Sequence, residues 1–461
     1  MRYNLVVVKF RWSRKLTTVS YVSLGCPKAL VDSEHIVTAL ADEDFSVVGE
    51  EESAGVVVVN TCGFINQAKE ESYAAIEAAI DNDQEVVVTG CLGTEKENLQ
   101  VRFPSLRFVS GPGQTTEVVN AVKHLSQKGG VPVRKDRPYG AESGNRVLLT
   151  PDHYAYLKIA EGCNHQCTFC VIPRMRGPLE SRGTRDILAE AEALVKNGVK
   201  ELMLIAQDLS AYGLDNHYGA NSKEQSGLRE DIFYLCNELS SMLPWIRLHY
   251  VYPYPHVDKL VSLMADSKIL PYLDMPLQHA SSRILKAMKR PASREKTLNR
   301  IHRWRELLPD LSIRSNFIVG FPGETDEDLN SLLEFLDEAK LDRVGCFTYS
   351  EVSGAKANDY PGKIPERDKL DRQDLVYEHQ ASISQERLQR HLGKTLSVII
   401  DGDIEGETVG RTVYDAPEID GLVYVESAQN LNAGDLVSVK IDECGDHDLY
   451  GEYVGHKVGI R

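Results

Sequence analysis

The stretch Glu161-Gly-Cys-Asn-His-Gln-Cys-Thr-Phe-Cys-Val-Ile-Pro173 decides how the rest of the chain is interpreted. It holds Cys163, Cys167 and Cys170 in a C-x3-C-x2-C pattern, and the run Leu157-Lys-Ile-Ala160 before it is typical of a strand end. Thiolates are soft anionic ligands, and cysteines this crowded favour an iron–sulfur cluster. Three cysteines can hold a four-iron cluster and leave its fourth iron open, so that a ligand can bind there and be activated.

Zinc and a disulfide are the alternative interpretations of this loop. Structural zinc takes four ligands, usually from two C-x2-C pairs, and the loop has one such pair. His165 would complete a zinc site only by sharing a tight loop with its neighbours. A disulfide would leave one of the three thiols unpaired. The spacing favours the cluster and leaves both alternatives open.

Length and composition bound the class of protein. The chain has 461 residues, enough for two to four domains, and its 42% hydrophobic and 26% charged residues are ordinary for a soluble protein. No apolar run approaches the ~18 residues of a membrane helix. Leu5-Val-Val-Val8 precedes basic residues, the reverse of a signal peptide, and residues 1–17 receive no role. We expect a cytoplasmic protein, whose nine cysteines serve a metal or catalysis before disulfides.

The formal net charge of −16 limits the partners. Nucleic-acid binding relies on cationic side chains, so nucleic acid is not expected as the direct substrate of this chain. The charge suits a basic partner, or a partner without charge.

Residues 18–110 are predicted to form a βαβαβ unit with a parallel sheet. Strands are predicted at 18–24, 56–59 and 86–88, and helices at 28–40 and 67–80. Cys26, Cys62 and Cys91 each come just after one of these strands. Because the carboxyl ends of parallel strands share one edge, we expect the three thiols to converge on a second iron–sulfur cluster. The alternative is that they are small buried core residues.

Six further strand–helix repeats follow a Gly- and Pro-rich linker, and they indicate a partial parallel barrel. Strands are predicted at 154–160, 200–206, 246–252, 271–275, 312–319 and 344–349, and helices at 184–197, 227–243, 256–267, 280–308 and 325–339. Chemistry in such folds gathers at the carboxyl ends of the strands. The cysteine loop, Gln207-Asp208 and Asp274 all fall at such ends.

Two segments of this region have more than one interpretation. Gly320-Phe-Pro-Gly-Glu-Thr325 either lets backbone approach a ligand or is a tight turn into a helix capped by Thr325 and Asp328. Trp245–His256 holds three tyrosines and two histidines, which fit a base-stacking face or a buried strand leading to a polar rim. We prefer a role in the active-site wall or in docking a protein substrate.

The last hundred residues change character. Residues 361–393 are highly charged and predict a solvated helix that bridges domains. Residues 394–461 predict a small antiparallel barrel, with short strands at 398–400, 408–413, 421–425 and 435–440. That segment has 5 Lys and Arg against 14 Asp and Glu, a net charge of −9, which repels phosphate and attracts a basic protein. Cys236, Cys346 and Cys444 are interpreted as packing residues.

Several of these stretches resemble known families. The cysteine loop, with Phe169 before its third cysteine, resembles the signature of the radical S-adenosylmethionine (SAM) enzymes. Three stretches resemble the methylthiotransferases of that superfamily: Ser23-Leu-Gly-Cys-Pro-Lys-Ala-Leu-Val-Asp-Ser-Glu34, Asn60-Thr-Cys-Gly-Phe-Ile65 and Thr89-Gly-Cys-Leu92. The carboxyl-terminal segment resembles a TRAM domain. The resemblance covers about residues 18–461 and is nearest to the branch of the family that modifies a ribosomal protein.

The resemblance implies two 4Fe-4S clusters and SAM as cofactors. The cluster on the C-x3-C-x2-C loop would bind SAM through its open iron and split it to a 5′-deoxyadenosyl radical. The second cluster would present the sulfur or methylthio group, and a second SAM would supply the methyl. The implied SAM contacts are Gln207, Arg314 and Asn316; the implied cluster ligands are Cys163, Cys167 and Cys170, and Cys26, Cys62 and Cys91. No side chain is assigned as a general base.

The implied reaction replaces a β-carbon hydrogen of an aspartate in the basic small-subunit ribosomal protein S twelve with a methylthio group. The alternatives are a tRNA adenosine methylthiotransferase and a non-catalytic iron–sulfur electron carrier. An electron donor and a sulfur source of unknown identity are the other expected partners, and no membrane is expected. The α/β chain is divided into a methylthiotransferase domain at 18–130, a linker at 131–152, a radical SAM domain at 153–360, a bridging helix at 361–393 and a TRAM-like barrel at 394–461.

Overall fold

The structure, a computed structural model, describes residues 17–49, 54–126, 146–215, 231–290, 293–427 and 429–456. The amino-terminal extension up to residue 16, the predicted linker up to residue 145 and residues 457–461 of the predicted barrel lie outside these ranges. The predicted domain limits remain predictions. Among the described helices, none is both long and apolar enough to cross a membrane.

Five parallel strands form the amino-terminal sheet, in the order β2-β1-β3-β4-β5. Its elements are β1 (Thr17–Ser23), α1 (Pro27–Asp42), β2 (Phe45–Val48), β3 (Val56–Thr61), α2 (Asn66–Asp81), β4 (Glu85–Gly90), α3 (Lys96–Arg102), β5 (Phe108–Val109) and α4 (Thr115–Leu125). Successive strand side chains face opposite sides, so Val56 and Val58 enter one core while Val57 and Val59 enter the other. Helices cover both faces, as a parallel sheet requires. The predicted βαβαβ unit is present, and the short strands β2 and β5 are additions to it.

Six parallel strands form the central sheet, in the order β13-β12-β11-β10-β9-β6. The elements of this region are β6 (Tyr154–Lys158), β7 (Ala160–Glu161), α5 (Ile172–Arg176), β8 (Glu180–Ser181), α6 (Thr184–Lys196), β9 (Glu201–Ile205), α7 (Ile232–Ser240), β10 (Trp245–Leu248), α8 (Asp258–Ala265), β11 (Tyr272–Asp274), α9 (Ser282–Ala287), α10 (Arg294–Leu307), β12 (Ser312–Val319), α11 (Asp326–Ala339), β13 (Arg343–Thr348) and α12 (Glu366–Gln389). β7 and β8 pair with each other in a separate antiparallel two-stranded sheet. The six predicted strands are confirmed. The single helix predicted over 280–308 is wrong: it is two helices, α9 and α10, and the sequence between them contains Pro291, which has no N–H to continue a helix.

The carboxyl-terminal strands close into a five-stranded barrel in the order β14-β15-β16-β18-β17. They are β14 (Thr395–Ile404), β15 (Glu407–Thr412), β16 (Val423–Glu426), β17 (Leu436–Cys444) and β18 (Leu449–His456). The small barrel predicted from the sequence is confirmed, with two differences, the first being that β18 was not among the predicted strands. The second is that β16 and β18 pair in parallel, because β17 lies on the far side of β18 and the chain must cross over to close the barrel.

The barrel is docked on the central sheet at the end opposite to the cysteine loop. Glu201, at the start of β9, forms ion pairs of 2.7 Å with Arg247 of β10 and with Arg411 of the barrel, and all three side chains are at most 1% exposed. Charges buried this deeply are tolerated because each one is paired. The barrel therefore covers the amino ends of the central strands and leaves their carboxyl ends for chemistry.

A second buried charge cluster fastens α1 to the central sheet. Arg146 forms ion pairs with Glu34 of α1 (3.1 Å) and with Glu190 of α6. The backbone next to Arg146 continues the junction, since Leu149 N–H donates to Glu34 and Val147 N–H donates to Thr38, both at 2.9 Å. The two sheets are thus held in a fixed relation, which sets the distance between their cysteines.

The junction of α12 and the barrel predicts a pH dependence of stability. His391 is buried and stacked on Tyr414 with ring centroids 4.9 Å apart, and burial together with Arg390 lowers its pKa from 6.5 to about 4. The unfolded chain binds this proton more readily, so the stability due to neutral His391 is lost as the pH falls from about 6.5 to about 4, a cost on the order of 3 kcal/mol at the acid end. The melting temperature of His391→Phe is expected to fall less between pH 7 and pH 4.5 than that of the unchanged protein. An equal fall in both proteins would contradict the prediction.

Candidate iron–sulfur and SAM site

Cys26, Cys62 and Cys91 lie at the carboxyl ends of three neighbouring strands. β1, β3 and β4 are adjacent in the sheet, and the cysteines stand between Ser23 and α1, directly after β3 and directly after β4. Asn60 holds these loops together, because its side-chain amide donates to the Ala29 carbonyl (2.8 Å) and to the Ser33 hydroxyl (2.7 Å). The predicted convergence of the strand ends is present in the structure.

Glycines precede cysteines at places where the backbone requires them. Gly90 has φ +93°, and a Cβ there would lie 2.3 Å from the Asn60 side-chain oxygen. Gly162 has φ +74°, and a Cβ there would lie 1.9 Å from the Pro178 carbonyl oxygen. Only glycine avoids both the strain of a positive φ and these clashes. The close approach brings Cys91 and Cys163 to the carboxyl edges of their sheets.

The thiols of the first set influence one another. Burial raises the pKa of Cys91 to about 11, Arg176 opposes this, and nearby Cys26 and Cys62 add to it. Burial would also raise the pKa of Cys26, but Lys28, Arg176 and two backbone N–H groups lower it below its usual value. Three mutually close thiols beside a buried arginine are a donor set that fits an iron–sulfur cluster, which needs them as thiolates.

The loop of Cys163, Cys167 and Cys170 is anchored on both sides. Cys163 N–H donates to the Gly177 carbonyl (3.1 Å), and the Thr168 N–H donates to the Met288 carbonyl at the end of α9 (3.2 Å). These two hydrogen bonds restrain the backbone of the loop, which lowers the conformational entropy lost when the loop binds a ligand.

Every sulfur of this loop accepts one N–H group. The backbone N–H of His165 lies 3.4 Å from the Cys163 sulfur, that of Ile172 lies 3.5 Å from the Cys170 sulfur, and Arg290 lies 3.6 Å from the Cys167 sulfur. Such N–H···S contacts stabilise thiolates and tune the clusters they hold. Burial first, and then Cys167 and Cys163, raise the pKa of the Cys170 thiol to about 12, so a metal must displace its proton.

The zinc interpretation is not favoured by this geometry. The His165 ring nitrogen Nε2 lies 2.7 Å from an Asp208 carboxylate oxygen instead of joining the thiols. Among the described residues, no group of three or more His, Cys, Asp or Glu side chains is arranged to hold one metal ion. A four-iron cluster places each cysteine on a different iron, so its ligands surround the cluster and do not meet at one point.

Two of the three predicted SAM contacts have an unsatisfied acceptor. The Gln207 Oε1 and Asn316 Oδ1 atoms are buried and have no hydrogen-bond partner among the described residues. The other end of the Gln207 amide donates to Glu161, which fixes its orientation. Buried amide oxygens without partners are costly. The amino group and ribose hydroxyls of SAM are donors, so both residues fit that cofactor.

Arg314, the third predicted contact, is occupied by protein carboxylates. Its guanidinium lies 3.1 Å from Asp274 and 3.5 Å from Asp420 of the barrel segment. Arg314 remains a prediction as a SAM contact, and the structure gives it a second task in joining the barrel to the central sheet.

The tyrosine segment after β10 forms a wall against the cysteine loop. Tyr252 stacks on His165 with ring centroids 4.6 Å apart. The Arg290 guanidinium, which donates to the Cys167 sulfur, lies 4.2 Å from the centre of the Tyr252 ring. Tyr254 continues the stack, with its hydroxyl 3.2 Å from the His165 ring. This agrees with the active-site wall favoured by the sequence.

The turn Gly320–Thr325 is packed by protein groups. Thr325 and Asp328 form the predicted capping box of α11. A Cβ at Gly320 would lie 2.3 Å from the Lys369 side chain of α12, and Glu324 is paired with Arg372 at 2.7 Å. The interpretation as a strand-to-helix turn accounts for this segment.

Four charged residues that join the two cysteine sets were missed by sequence reasoning. Asp32, Lys158, Glu161 and Arg176 alternate in sign around a closed, largely buried ring. Arg176 also places its Nε 3.3 Å from the Cys91 sulfur. The available signal was Arg176 in the run Arg174-Met-Arg-Gly177, six residues after Cys170, but its partners are distant in sequence.

Three family profiles match successive parts of the chain. The radical SAM superfamily matches residues 157–336, the TRAM domain matches residues 392–454, and the uncharacterized protein family UPF0004 matches residues 18–111.

Curated relatives match nearly the full length. "Ribosomal protein uS12 methylthiotransferase RimO" of Bordetella pertussis is 54% identical over 438 residues, which are 95% of this chain and 99% of the relative. The protein of the same name from Pseudomonas fluorescens is 52% identical, over 95% of this chain and 98% of the relative. The chain belongs to the RimO family. Like other radical SAM methylthiotransferases, this RimO family member is an enzyme that uses SAM and two [4Fe–4S] clusters. The electron-carrier alternative is therefore wrong.

A solved structure shares the fold. The radical SAM methyltransferase TsrM of Kitasatospora setae has a TM-score of 0.51 and 17% identity, over 72% of this chain and 73% of that chain. At this identity the likeness concerns the fold alone.

Replacing one cysteine of either set should remove one cluster. Cys163→Ala and Cys26→Ala are each expected to lower the iron content of the anaerobically reconstituted protein from about eight to about four atoms per chain, because each change takes one of three ligands from a different cluster. Iron analysis with electron paramagnetic resonance (EPR) measures this. Cys444→Ala, on the half-buried end of β17, is the control and should retain all the iron. Full iron in Cys163→Ala would contradict the assignment.

Proposed function

We propose that this enzyme transfers a methylthio group to the β-carbon of an aspartate of ribosomal protein uS12. The observation that carries the proposal is the near full-length similarity to methylthiotransferases whose names specify uS12. The reaction exchanges one carbon-bound hydrogen for SCH3. Such a C–H bond is beyond acid–base catalysis, and SAM with the two clusters supplies the radical and the sulfur chemistry. The reaction would take place in the cytoplasm, where ribosomes are assembled.

In this proposal the residues of the chain bind the two clusters, orient SAM and enclose the cysteine loop. Cys163, Cys167 and Cys170 of the loop would hold one cluster, and Cys26, Cys62 and Cys91 at the strand ends would hold the other. Gln207 and Asn316 offer their unpaired oxygens to SAM. Tyr252 and Tyr254 cover the cysteine loop from one side and exclude water. No described side chain needs to move a proton at the reacting carbon.

The barrel has an acidic outer face suited to a basic protein. Tyr424 and Tyr450 stack with ring centroids 5.0 Å apart and an interplanar angle of 12°. Two residues beyond the tyrosine pair, Glu426 of β16 lies opposite Glu452 of β18, and both glutamates are exposed. Glu443 of β17 lies opposite Tyr450. Basic side chains bind such a surface through carboxylates and through aromatic faces. The charge also supports a protein substrate over tRNA.

The electron donor and the sulfur source belong to the proposal as well. A reduced protein or small reductant must supply the electrons, and a sulfide or persulfide donor must supply the sulfur. The reaction specifies the chemical class of each donor and no individual molecule.

Mass spectrometry of uS12 tests the reaction directly. Anaerobic incubation with reconstituted enzyme, SAM, sulfide and a strong reductant is expected to add about 46 Da to one aspartate, the difference between SCH3 and H. Cys163→Ala should abolish the gain. A methylthio group on tRNA in place of uS12 would overturn the proposed substrate. SAM cleavage without either product would support the radical chemistry but contradict the assignment of uS12 as the substrate.

Reversing charge on the acidic barrel face should weaken substrate binding. The double variant Glu443→Lys/Glu452→Lys is expected to raise the Kd for uS12 about tenfold at low salt, with a smaller effect at high salt because exposed charges are screened. The control is Glu77→Lys/Glu97→Lys, which makes the same charge change at exposed positions of α2 and α3. Equal weakening by both pairs would show that only net charge matters.

A further inference from the structure

Arg176, in the segment that follows the radical SAM loop, donates a hydrogen bond to a sulfur of the other cysteine set. Its Nε lies 3.3 Å from the Cys91 Sγ atom, and the whole residue is 8% exposed. Arg176 ends α5, which follows Cys170, whereas Cys91 follows β4 of the other sheet. An N–H group of one metal site therefore points at a sulfur of the other.

The remaining donors of Arg176 are held by two carboxylates. Nη1 lies 3.1 and 3.0 Å from the two oxygens of Glu161, and Nη2 lies 3.1 Å from Asp32 of α1. Lys158 completes the ring, because its ammonium contacts Asp32 and lies 2.8 Å from Glu161. A planar guanidinium with three fixed partners cannot turn away from the sulfur without breaking two ion pairs.

Glu161 connects this arginine to the SAM side. It precedes Cys163 by two residues, and it accepts a hydrogen bond from Gln207 Nε2. Gln207 Oε1 is the buried acceptor that has no partner among the described residues. A donor that binds Gln207 Oε1 displaces the same side-chain amide whose Nε2 donates to Glu161. A displaced Glu161 in turn moves Arg176, which donates to it. The path from the SAM side to the Cys91 sulfur thus consists of three polar contacts.

We propose that Arg176 is a positioning residue that sets the reduction potential of the cluster at Cys91 and makes it respond to SAM. This inference rests on the proposed placement of a cluster on Cys26, Cys62 and Cys91. An N–H···S bond withdraws electron density from the ligand sulfur and stabilises the reduced, more negative cluster, so it raises the reduction potential. SAM binding at Gln207 shifts Glu161 and changes that bond.

The test is a potentiometric titration of the holoenzyme followed by EPR, with and without SAM. In Arg176→Gln the potential of the Cys91 cluster is expected to be more negative than in the unchanged protein, with full iron content. Arg176→Lys keeps the positive charge but lacks the planar guanidinium, and its potential should lie between those of Arg176→Gln and the unchanged protein. In Glu161→Gln the response to SAM is expected to be lost while iron content is kept. Arg174→Gln, an exposed arginine of the same helix, is the matched control and should change neither quantity.

The outcomes separate this inference from the function on which it rests. Full iron with an unchanged potential in both Arg176 variants would overturn the inference and leave the function standing. A SAM response retained in Glu161→Gln would overturn the coupling. If Arg176→Gln loses iron, Arg176→Lys and Glu161→Gln decide the question. If the unchanged protein holds only one cluster and Cys26→Ala alters no signal, the proposed cluster placement itself fails.

Discussion

The structure depends on an alternating ring of charges between its two sheets. Asp32 belongs to the amino-terminal sheet unit, whereas Lys158, Glu161 and Arg176 belong to the central one. Two acids and two bases alternate, so every charge has an opposite neighbour on both sides. Burial opposes ionisation of Glu161, yet Lys158 and Arg176 hold its pKa well below its usual range. Separating the sheets would leave uncompensated charge at the interface, and the relative position of the two cysteine sets follows from this ring.

The carboxyl edges of both sheets face this ring, and the barrel is attached at the other end. The division follows from the chemistry of parallel sheets, whose carboxyl ends are where loops carry ligands. Glu201 begins β9 and binds Arg411 of the barrel, whereas Arg247 of β10 pairs with Glu201 and donates to the barrel carbonyls of Val413 and Thr412. The barrel face proposed to bind the protein substrate is thereby separated from the strand ends that carry the six cysteines.

Sequence reasoning reached the parts of the site that have local spacing. Cys62 and Cys91 were found because each follows a run of valines, and the sheet rule then brings them together with Cys26. Barrel closure and the six parallel strands follow from similar periodic signals. The sequence did not reveal Arg176, Arg290 or Lys158, because their partners are decided by tertiary packing and no local pattern records such pairs. β18 was missed for a related reason: its exposed face alternates with glycines, and it gains its stability from β17 and β16 on either side.

The ring is better explained by function than by stability. Removing charges from water costs several kcal/mol per ion, and apolar residues of similar volume often serve stability as well or better. The interface already has an apolar cluster in which Leu30 and Val31 of α1 pack on Tyr154 and Tyr156. Stability alone would therefore have been met by extending that cluster. An arginine at this place does what no apolar residue can: it gives one N–H to the Cys91 sulfur while its other donors stay fixed by carboxylates. The cost of burying the ring is accounted for if the sulfur, and whatever it binds, is the group that the ring serves.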